Sequence, residues 1–247
     1  MIAIGAASGA EKHAPPPLML WSWGAQDDFR PLLPGGGIGV AYLGLSLSFQ
    51  GENEVTARPR RVPVWIAPDT YQMLVIRFDY APDARPAVAF SQKQRQLAVK
   101  MVAEMLALAR PTALQIDFDA PLSARPFYRQ VLNDIRELIA PDVFFSITAL
   151  VSWCDVTQSW LAGLPVDEVV PMAFRMGQAT SSVVTMLKSG GQFAFAGCRS
   201  SLGAEMYRGQ FLEDALRPHQ GQRAYIFLDF DKWSAAYVAA ARKGIAP

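Results

Sequence analysis

Histidine is nearly absent from this chain of 247 residues, which contains only His13 and His219. His13 lies in the amino-terminal segment and His219 in a polar loop, so neither is expected at the end of a core strand. Zinc sites with several histidines, Ser-His-Asp triads and two-histidine iron sites all need histidine at the reaction centre. The sequence therefore disfavours these three classes of chemistry.

Cysteine is equally rare, since Cys154 and Cys198 are the only two. They form neither a disulfide framework nor a spacing typical of metal ligands. We assign them to the ends of the fifth and seventh strands of the barrel predicted below, which are not neighbours. A disulfide needs Cα atoms within about 7 Å of each other, so the sequence predicts no bond between them.

The chain also lacks a strong net charge and a long apolar run. Its formal net charge is +1, and its one basic cluster is Arg58-Pro59-Arg60-Arg61. That cluster is shorter than the basic face or stripe of nucleic-acid-binding proteins, and we interpret it as a solvated loop. The apolar stretches have strand length and are interrupted by charge or proline, so we expect no membrane span and no nucleic-acid partner.

The amino-terminal segment leaves the compartment open. Residues 1–10 are small and apolar but lack the positive start and long apolar segment of a signal peptide. Export to the periplasm follows if they are the remainder of a signal, and a cytoplasmic location follows otherwise. We expect residues 1–17 to form an extended lead-in and residues 18–247 to form one domain.

Short apolar runs alternate with helical stretches along the chain, which predicts parallel strands joined by crossover helices. Together with the chain length, this alternation favours an α/β fold of the (β/α)8 TIM-barrel type. The predicted strands are residues 18–23, 38–43, 73–78, 113–119, 143–151, 169–174, 193–197 and 224–230. The predicted helices include residues 127–139, 182–188 and 233–243, with Ser91 capping an earlier helix and Asp231 capping the last.

One region departs from this alternation. Leu45, Leu47 and Phe49 alternate with serines, a turn follows at 51–54, and residues 55–58 can return. This pattern is typical of a β-hairpin, inserted after the second strand where a crossover helix is expected. The barrel can therefore be irregular on that side.

The fourth predicted strand carries two acids at its carboxyl end. Gln115, Asp117 and Asp119 share one face of the strand, and Ile116 and Phe118 face the helices. Active sites of TIM barrels lie at the carboxyl ends of the strands. Neighbouring carboxylates raise one another's pKa, which suits general acid catalysis. Asp117 and Asp119 are our candidate catalytic residues, and the alternative is that both acids cap loops or pair with arginines.

Acidic, basic and aromatic residues follow several other predicted strands, a mixture that suits carbohydrate because carboxylates and arginine bind hydroxyl groups and aromatic rings pack on sugar faces. Alternative roles stay open for some of them: Asp155 can cap a helix, and the two later tryptophans can belong to the core. The candidate substrate-binding residues are Trp23, Asp79, Tyr128, Trp153, Asp155, Arg175, Asp229 and Trp233.

Three segments, residues 114–128, 146–154 and 166–177, resemble a bacterial family of uncharacterised proteins, the domain of unknown function 3142 family. The resemblance covers most of the chain from Trp21 onwards. It implies a TIM barrel and implies no particular reaction.

The fourth strand also resembles, more distantly, that of family-18 glycoside hydrolases, the chitinases, which carry Asp-x-Asp-x-Glu. Asp117 and Asp119 match the two aspartates, whereas Pro121 occupies the position of the catalytic glutamate. Residues 171–174 resemble the Met-x-Tyr strand of that family, with Phe174 in place of tyrosine. The resemblance implies barrel geometry shared with a carbohydrate-active enzyme.

Two main functions follow from these patterns. The first is a glycoside-hydrolase-like enzyme that acts on a polysaccharide or cell-envelope glycan, with Asp119 as acid or nucleophile, Asp117 as its partner, and Asp155 or Asp229 as a second carboxylate. The second is a non-catalytic glycan-binding barrel, which Pro121 favours. A third reading places a divalent cation on Asp117, Asp119 and Asp229. We expect a carbohydrate ligand and no cofactor, and the sequence does not indicate the oligomeric state.

Overall fold

The computed structural model of the chain describes residues 13–33, 37–157, 159–177, 180–208, 210–211, 221–228 and 231–245. Eight strands form a closed ring in which every neighbouring pair is parallel. In the order in which they pair, they are β1 (Leu18–Ser22), β3 (Ile38–Gln50), β6 (Tyr71–Tyr80), β7 (Ala113–Asp117), β8 (Phe144–Leu150), β9 (Glu168–Met172), β10 (Ser201–Tyr207) and β12 (Arg223–Leu228).

The remaining elements lie outside this ring. The short strands are β2 (Asp27–Asp28), β4 (Glu54–Pro59), β5 (Val64–Trp65) and β11 (Gln210–Phe211). The α-helices are α1 (Gln92–Ala109), α2 (Arg125–Leu138), α3 (Val151–Cys154), α4 (Thr180–Lys188) and α5 (Ala235–Ile245). The 3-10 turns within the described residues are Leu122–Ala124 and Ala196–Cys198. Within the described residues, no helix has the length and apolar character needed to cross a bilayer.

The unit from β7 to α2 shows how the sequence builds the barrel. All five residues of β7 are buried, because the strand has the barrel interior on one face and helices on the other. The first turn of α2 contains a proline, which suits a position whose N–H has no helical partner. The apolar face of α2, including Val131 and Ile135, packs on the outside of the sheet. The predicted TIM-type barrel, and the parallel pairing of its third to sixth strands, are confirmed.

The second predicted strand and the first arm of the predicted hairpin are one continuous strand, β3. It pairs with β6 along its length, with a register shift between Leu43 and Leu45, and its second half pairs antiparallel with β4. The residues between β3 and β6 are all described and contain no helix. The short strands β2 and β5 pair in parallel and form a separate two-stranded sheet.

The prediction for the seventh strand was wrong. Residues 193–197 lie in a crossover that ends in a 3-10 turn, and the barrel strand is β10, which begins at Ser201. The last helix, which follows the eighth strand, begins at Ala235, two residues later than predicted. Ser234, and not the predicted Asp231, precedes its first turn, and the Oγ of Ser234 accepts the N–H of Tyr237. The eighth strand is described up to Leu228, so its predicted end at 229–230 lies outside the described residues.

The prediction that the two cysteines are unpaired was also wrong. Cys154 and Cys198 form a disulfide, with their Cα atoms 5.8 Å apart. Cys154 ends α3, in the crossover from β8 to β9, and Cys198 lies in the next crossover, from β9 to β10. Consecutive crossovers are neighbours in the outer layer, whereas the prediction had placed Cys198 at the end of a strand.

The amino-terminal end of the barrel is closed by a buried carboxylate. Glu168 begins β9, and its Oε2 accepts hydrogen bonds from the Tyr225 hydroxyl at 2.6 Å and from Ser146 Oγ at 3.1 Å. Its Oε1 accepts from Ser201 Oγ and from the guanidinium of Arg223. Because a buried charge is tolerated only when it is paired and hydrogen-bonded, we infer that this end of the barrel is a structural seal.

Candidate active site

The alternation of side chains along β7 places one residue at each level of the barrel interior. Gln115 lies at mid-height, where its Oε1 accepts the indole N–H of Trp21 at 2.8 Å and its amide donates to Ser146 at 3.0 Å. Asp117 follows at the carboxyl end of the strand. Ile116 points to the outer layer with Phe118, as the strand parity predicts.

Asp117 and Asp119 line a cavity of about 670 Å³ at the carboxyl ends of the strands, together with Trp23 and Arg175. We call it the mouth cavity. The cavity brings these four candidate residues together, while another candidate, Asp229, lies outside the described residues. The other lining residues are Arg77, Leu150, Val151, Ser152, Met172, Phe174, Met176 and Phe227.

Asp117 is a buried acid held by two partners. Its side chain is 6% exposed, Thr148 Oγ1 donates to its Oδ1 at 2.7 Å, and Arg77 Nη1 lies 3.6 Å from its Oδ2. Burial raises the pKa of Asp117 to about 6, and the negative charges of Asp119 and Asp79 act in the same direction. Arg77 and the Thr148 hydrogen bond oppose the rise without cancelling it. Asp117 is therefore a carboxyl group whose pKa lies well above that of a free aspartate.

Arg77 organises the three acids on this side of the mouth. Its Nε donates to Asp79 Oδ1 at 2.7 Å, and its other terminus approaches Asp117. Burial would lower the pKa of Arg77, but Asp117, Asp79 and Asp119 together raise it. Its guanidinium carbon lies 6.0 Å from the ring centroid of Trp23, so the same cation joins the acidic cluster to the aromatic wall.

Asp119 lies at the exposed rim of the mouth cavity, beyond the end of β7. Its pKa is raised by the part of its surface that is buried and by the negative charge of Asp79, and Arg77 opposes the rise. The two acids thus differ in access: Asp117 forms the floor of the cavity, and Asp119 faces a molecule that enters it. Such a difference in environment allows two carboxyl groups to take different roles in one reaction.

Another part of the cavity wall is formed by Arg175, which is held in place by the buried acid Glu205. Arg175 contacts Glu205 Oε1 through Nη2 at 2.9 Å and Nε at 3.0 Å, and the Glu205 side chain is only 4% exposed. The Arg175 guanidinium also lies over the ring of Phe227 at 5.2 Å. Phe227 stacks in turn on Phe174, with ring centroids 5.5 Å apart and an interplanar angle of 7°. The cavity therefore offers a flat apolar face beside charged groups.

A second cavity of about 560 Å³, which we call the rim cavity, adjoins the first and shares Trp23, Arg175 and Phe227 with it. Its other walls include Trp233 and Asp27. Trp233 is nearly buried, and its indole N–H donates to the carbonyl of Trp21 at 2.9 Å. Trp23 thus lies where the two cavities meet.

Four of the described candidate residues line neither cavity. Asp79 lies beside the mouth cavity, whereas the other three lie away from it, and these three expectations are corrected. Tyr128 belongs to α2, and its fully buried side chain faces the sheet, with its ring centroid 5.1 Å from that of Phe118. Trp153 is buried against Trp160 at 4.9 Å. Asp155 is exposed just after α3. Trp153 and Asp155 closely follow the end of β8, and Tyr128 belongs to α2, so at all three positions the chain has already turned into the outer helical layer.

Several residues of the site were missed at the sequence level. Arg77 alternates with outward-facing neighbours in its strand, as Asp117 does in β7. This alternation could have identified Arg77 as an inward-facing residue from the sequence. Thr148 faces inward from β8 by the same rule. Glu205 could not be found because its strand had been assigned to residues 193–197. Asp79, a predicted candidate, lies beside the mouth cavity as the partner of Arg77.

The described residues contain no group of three or more histidine, cysteine, aspartate or glutamate side chains arranged to hold a metal ion. The cation site considered from the sequence includes Asp229, which lies outside the part of the chain that is described.

A comparison with protein-family models and with curated proteins finds no significant match to the chain. Because a TIM barrel supports many unrelated reactions, the function has to be argued from the chemistry of the mouth.

Proposed function

We propose that this protein is a glycoside-hydrolase-like barrel that acts on a polysaccharide or a cell-envelope glycan at the mouth cavity. The observation that supports this most directly is the pair Asp117 and Asp119 in one cavity with a wall of aromatic rings. Aromatic faces suit the apolar faces of sugar rings, and carboxyl groups with raised pKa values suit proton transfer to a glycosidic oxygen.

In this proposal Asp119 is the general acid, because it lies at the exposed rim of the mouth cavity, where a glycosidic oxygen can reach it. Asp117 is the buried partner, held by Arg77 and Thr148. Asp119 protonates the glycosidic oxygen as the bond to the anomeric carbon breaks, and the ionised form of Asp117 stabilises the positive charge that develops on the sugar ring. Water then forms a new bond to the anomeric carbon and gives a proton to the Asp119 carboxylate, which restores the acid. Arg77 keeps Asp117 oriented through the contact at 3.6 Å. Arg175 and Trp23 bind and orient the sugar.

A non-catalytic glycan-binding barrel is the second candidate, and one observation favours it. Pro121, at the position of the glutamate in the family-18 pattern, precedes the 3-10 turn Leu122–Ala124 and contributes no acid. The same cavity, with the same aromatic wall, can then hold a glycan without cleaving it.

Turnover on a defined panel separates the two candidates. The panel contains chito-, cello- and xylo-oligosaccharides and bacterial peptidoglycan, and new reducing ends are measured. We expect Asp119→Asn to lower turnover by about a hundredfold or more, the contribution of a positioned general acid, with an unchanged melting temperature. Asp155→Asn is the matched control, since it removes an exposed carboxylate outside both cavities, and it should keep wild-type turnover.

The other outcomes are equally informative. Binding of a panel member without turnover by the wild type would favour the glycan-binding barrel. If the wild type neither binds nor cleaves any member, both candidates fail. Equal turnover by Asp119→Asn and wild type would remove Asp119 from the reaction.

A further inference from the structure

The short basic segment at residues 58–61 contains one arginine that departs from the predicted solvated loop. Arg58 and Arg61 are exposed, in agreement with the interpretation from sequence, but Arg60 is only partly exposed. Its guanidinium turns away from solvent towards the loop that follows β1. Burial lowers the pKa of Arg60, and the nearby carboxylate of Asp27 opposes the shift.

The guanidinium of Arg60 is used almost entirely to bind main-chain carbonyls. Its Nη1 donates to the carbonyls of Trp23 at 2.7 Å and Ser22 at 3.0 Å. Its Nη2 donates to the carbonyl of Ala25 at 2.5 Å and to Ser22 Oγ at 3.1 Å. Its Nε donates to the carbonyl of Val62 at 2.6 Å. One side chain therefore binds three main-chain carbonyls within the four-residue loop segment 22–25.

Arg60 is itself anchored to the barrel. Its main-chain N–H donates to the carbonyl of Gly44 at 2.9 Å, and Gly44 lies at the register shift between β3 and β6. The contacts of Arg60 thus connect the loop after β1 to a fixed point on the neighbouring strand. A second connection reinforces the loop, because Ser22 Oγ donates to Asp27 Oδ2 at 2.6 Å.

The loop held in this way carries Trp23, whose side chain lines both cavities. The Trp23 ring lies 6.4 Å from that of Phe227 and 6.0 Å from the guanidinium carbon of Arg77. Arg60 is not among the described residues that line either cavity, so any effect it has on a ligand is transmitted through the position of Trp23.

We propose that Arg60 is a positioning residue that fixes the Trp23 indole between the mouth cavity and the rim cavity and thereby sets the affinity for a glycan. The planar fork of arginine reaches several carbonyls at once, whereas the single ammonium of lysine cannot reproduce this geometry. The positioning of Trp23 by Arg60 does not depend on the proposed function. The effect of Arg60 on glycan affinity does rest on the proposed function.

Fluorine NMR of protein labelled with 5-fluorotryptophan tests the positioning directly. The chain has six tryptophans, and Trp23→Phe identifies the resonance of residue 23. We expect Arg60→Met to shift and broaden that resonance while the others keep their positions, because the loop carbonyls lose their donor. Arg61→Met removes an exposed arginine from the same segment and should leave the spectrum unchanged. A native Trp23 resonance in folded Arg60→Met would overturn the proposal.

Affinity for the panel oligosaccharide that the wild type binds provides the second readout. We expect the dissociation constant to rise about tenfold in Arg60→Met and in Arg60→Lys, as small misplacements of a binding group do, and to stay unchanged in Arg61→Met. If Arg60→Met fails to fold, Arg60→Lys carries both measurements. A variant with a lower melting temperature but native Trp23 resonance and native affinity would show a role in stability alone and contradict the proposal. If no glycan binds, the proposed function fails, and the fluorine spectrum still decides the role of Arg60.

Discussion

Asp117 combines a buried position with a pKa of about 6, and this combination has a consequence for stability. The carboxyl group is harder to ionise in the folded protein than in the unfolded chain, where its pKa is near 3.8. Between these two values the folded protein binds more protons than the unfolded chain, so the contribution of Asp117 to stability falls as the pH rises from about 4 to about 6. Below this window the contribution is constant.

We therefore expect Asp117→Asn to remove a pH dependence. The free energy of unfolding of the wild type, relative to Asp117→Asn, should fall by at most about 3 kcal/mol between pH 4 and pH 7. Urea unfolding of both proteins at several pH values measures the difference. Asp155→Asn serves as the control and should keep the wild-type profile. A difference that is flat or that rises with pH would contradict the raised pKa.

At the scale of single residues, strand parity was the most informative signal in the sequence. It correctly places Gln115 and Asp117 inside the barrel and Ile116 and Phe118 outside. Parity does not reveal which distant side chain will pair with an inward acid, because that depends on the register of β6 against β7. Arg77 lies opposite Asp117 in that register, and only the folded sheet makes this visible.

Among the elements, β10 was the hardest to recognise, and the reason is physical. Its inward-facing residues are small or polar, namely Ser201, Gly203 and Glu205, so the strand has no apolar run. A Cβ at Gly203 would lie 2.8 Å from the ring of Trp21, which explains why no side chain is present at that level. The preceding apolar residues at 193–197 resemble a strand better, but they pack in the crossover instead.

The disulfide joins two elements of the outer layer, and reducing it should lower stability. It closes a segment of 44 residues that contains β9 and α4. Restricting the unfolded chain in this way stabilises a protein by about 2–4 kcal/mol. We expect a reductant to lower the midpoint of urea unfolding of the wild type correspondingly. Cys198→Ser should start from the lower midpoint and show no response to reductant.

Thiol titration of the unfolded, non-reduced protein provides an independent check of the same element. A protein with the Cys154–Cys198 bond has no reactive thiol from these two residues. Two titratable thiols per chain, or an equal response of wild type and Cys198→Ser to reductant, would contradict the bond.

For the whole molecule, the alternation of strands and helices was sufficient to predict a closed parallel barrel, because parallel strands need crossovers and a barrel removes the exposed edges. The same alternation could not reveal that the crossovers place Tyr128 and Trp153 in the outer layer while Trp23 and Trp233 line cavities. Those positions depend on how the chain turns after each strand. The mouth therefore combines residues from separate strands that no local pattern groups together.

The central claim is that a glycan occupies the carboxyl mouth of the barrel, and tryptophan indole resonances test it most directly. In nitrogen–proton NMR spectra, a bound oligosaccharide from the panel should shift the indole N–H resonance of Trp23, where the two cavities meet. The resonance of Trp160, which packs against Trp153 in the outer layer, should stay in place. Saturable movement of the Trp23 signal, with the Trp160 signal unchanged, is the result we expect. No movement with any oligosaccharide, or movement of Trp160 without Trp23, would contradict the assignment of the mouth as a glycan site.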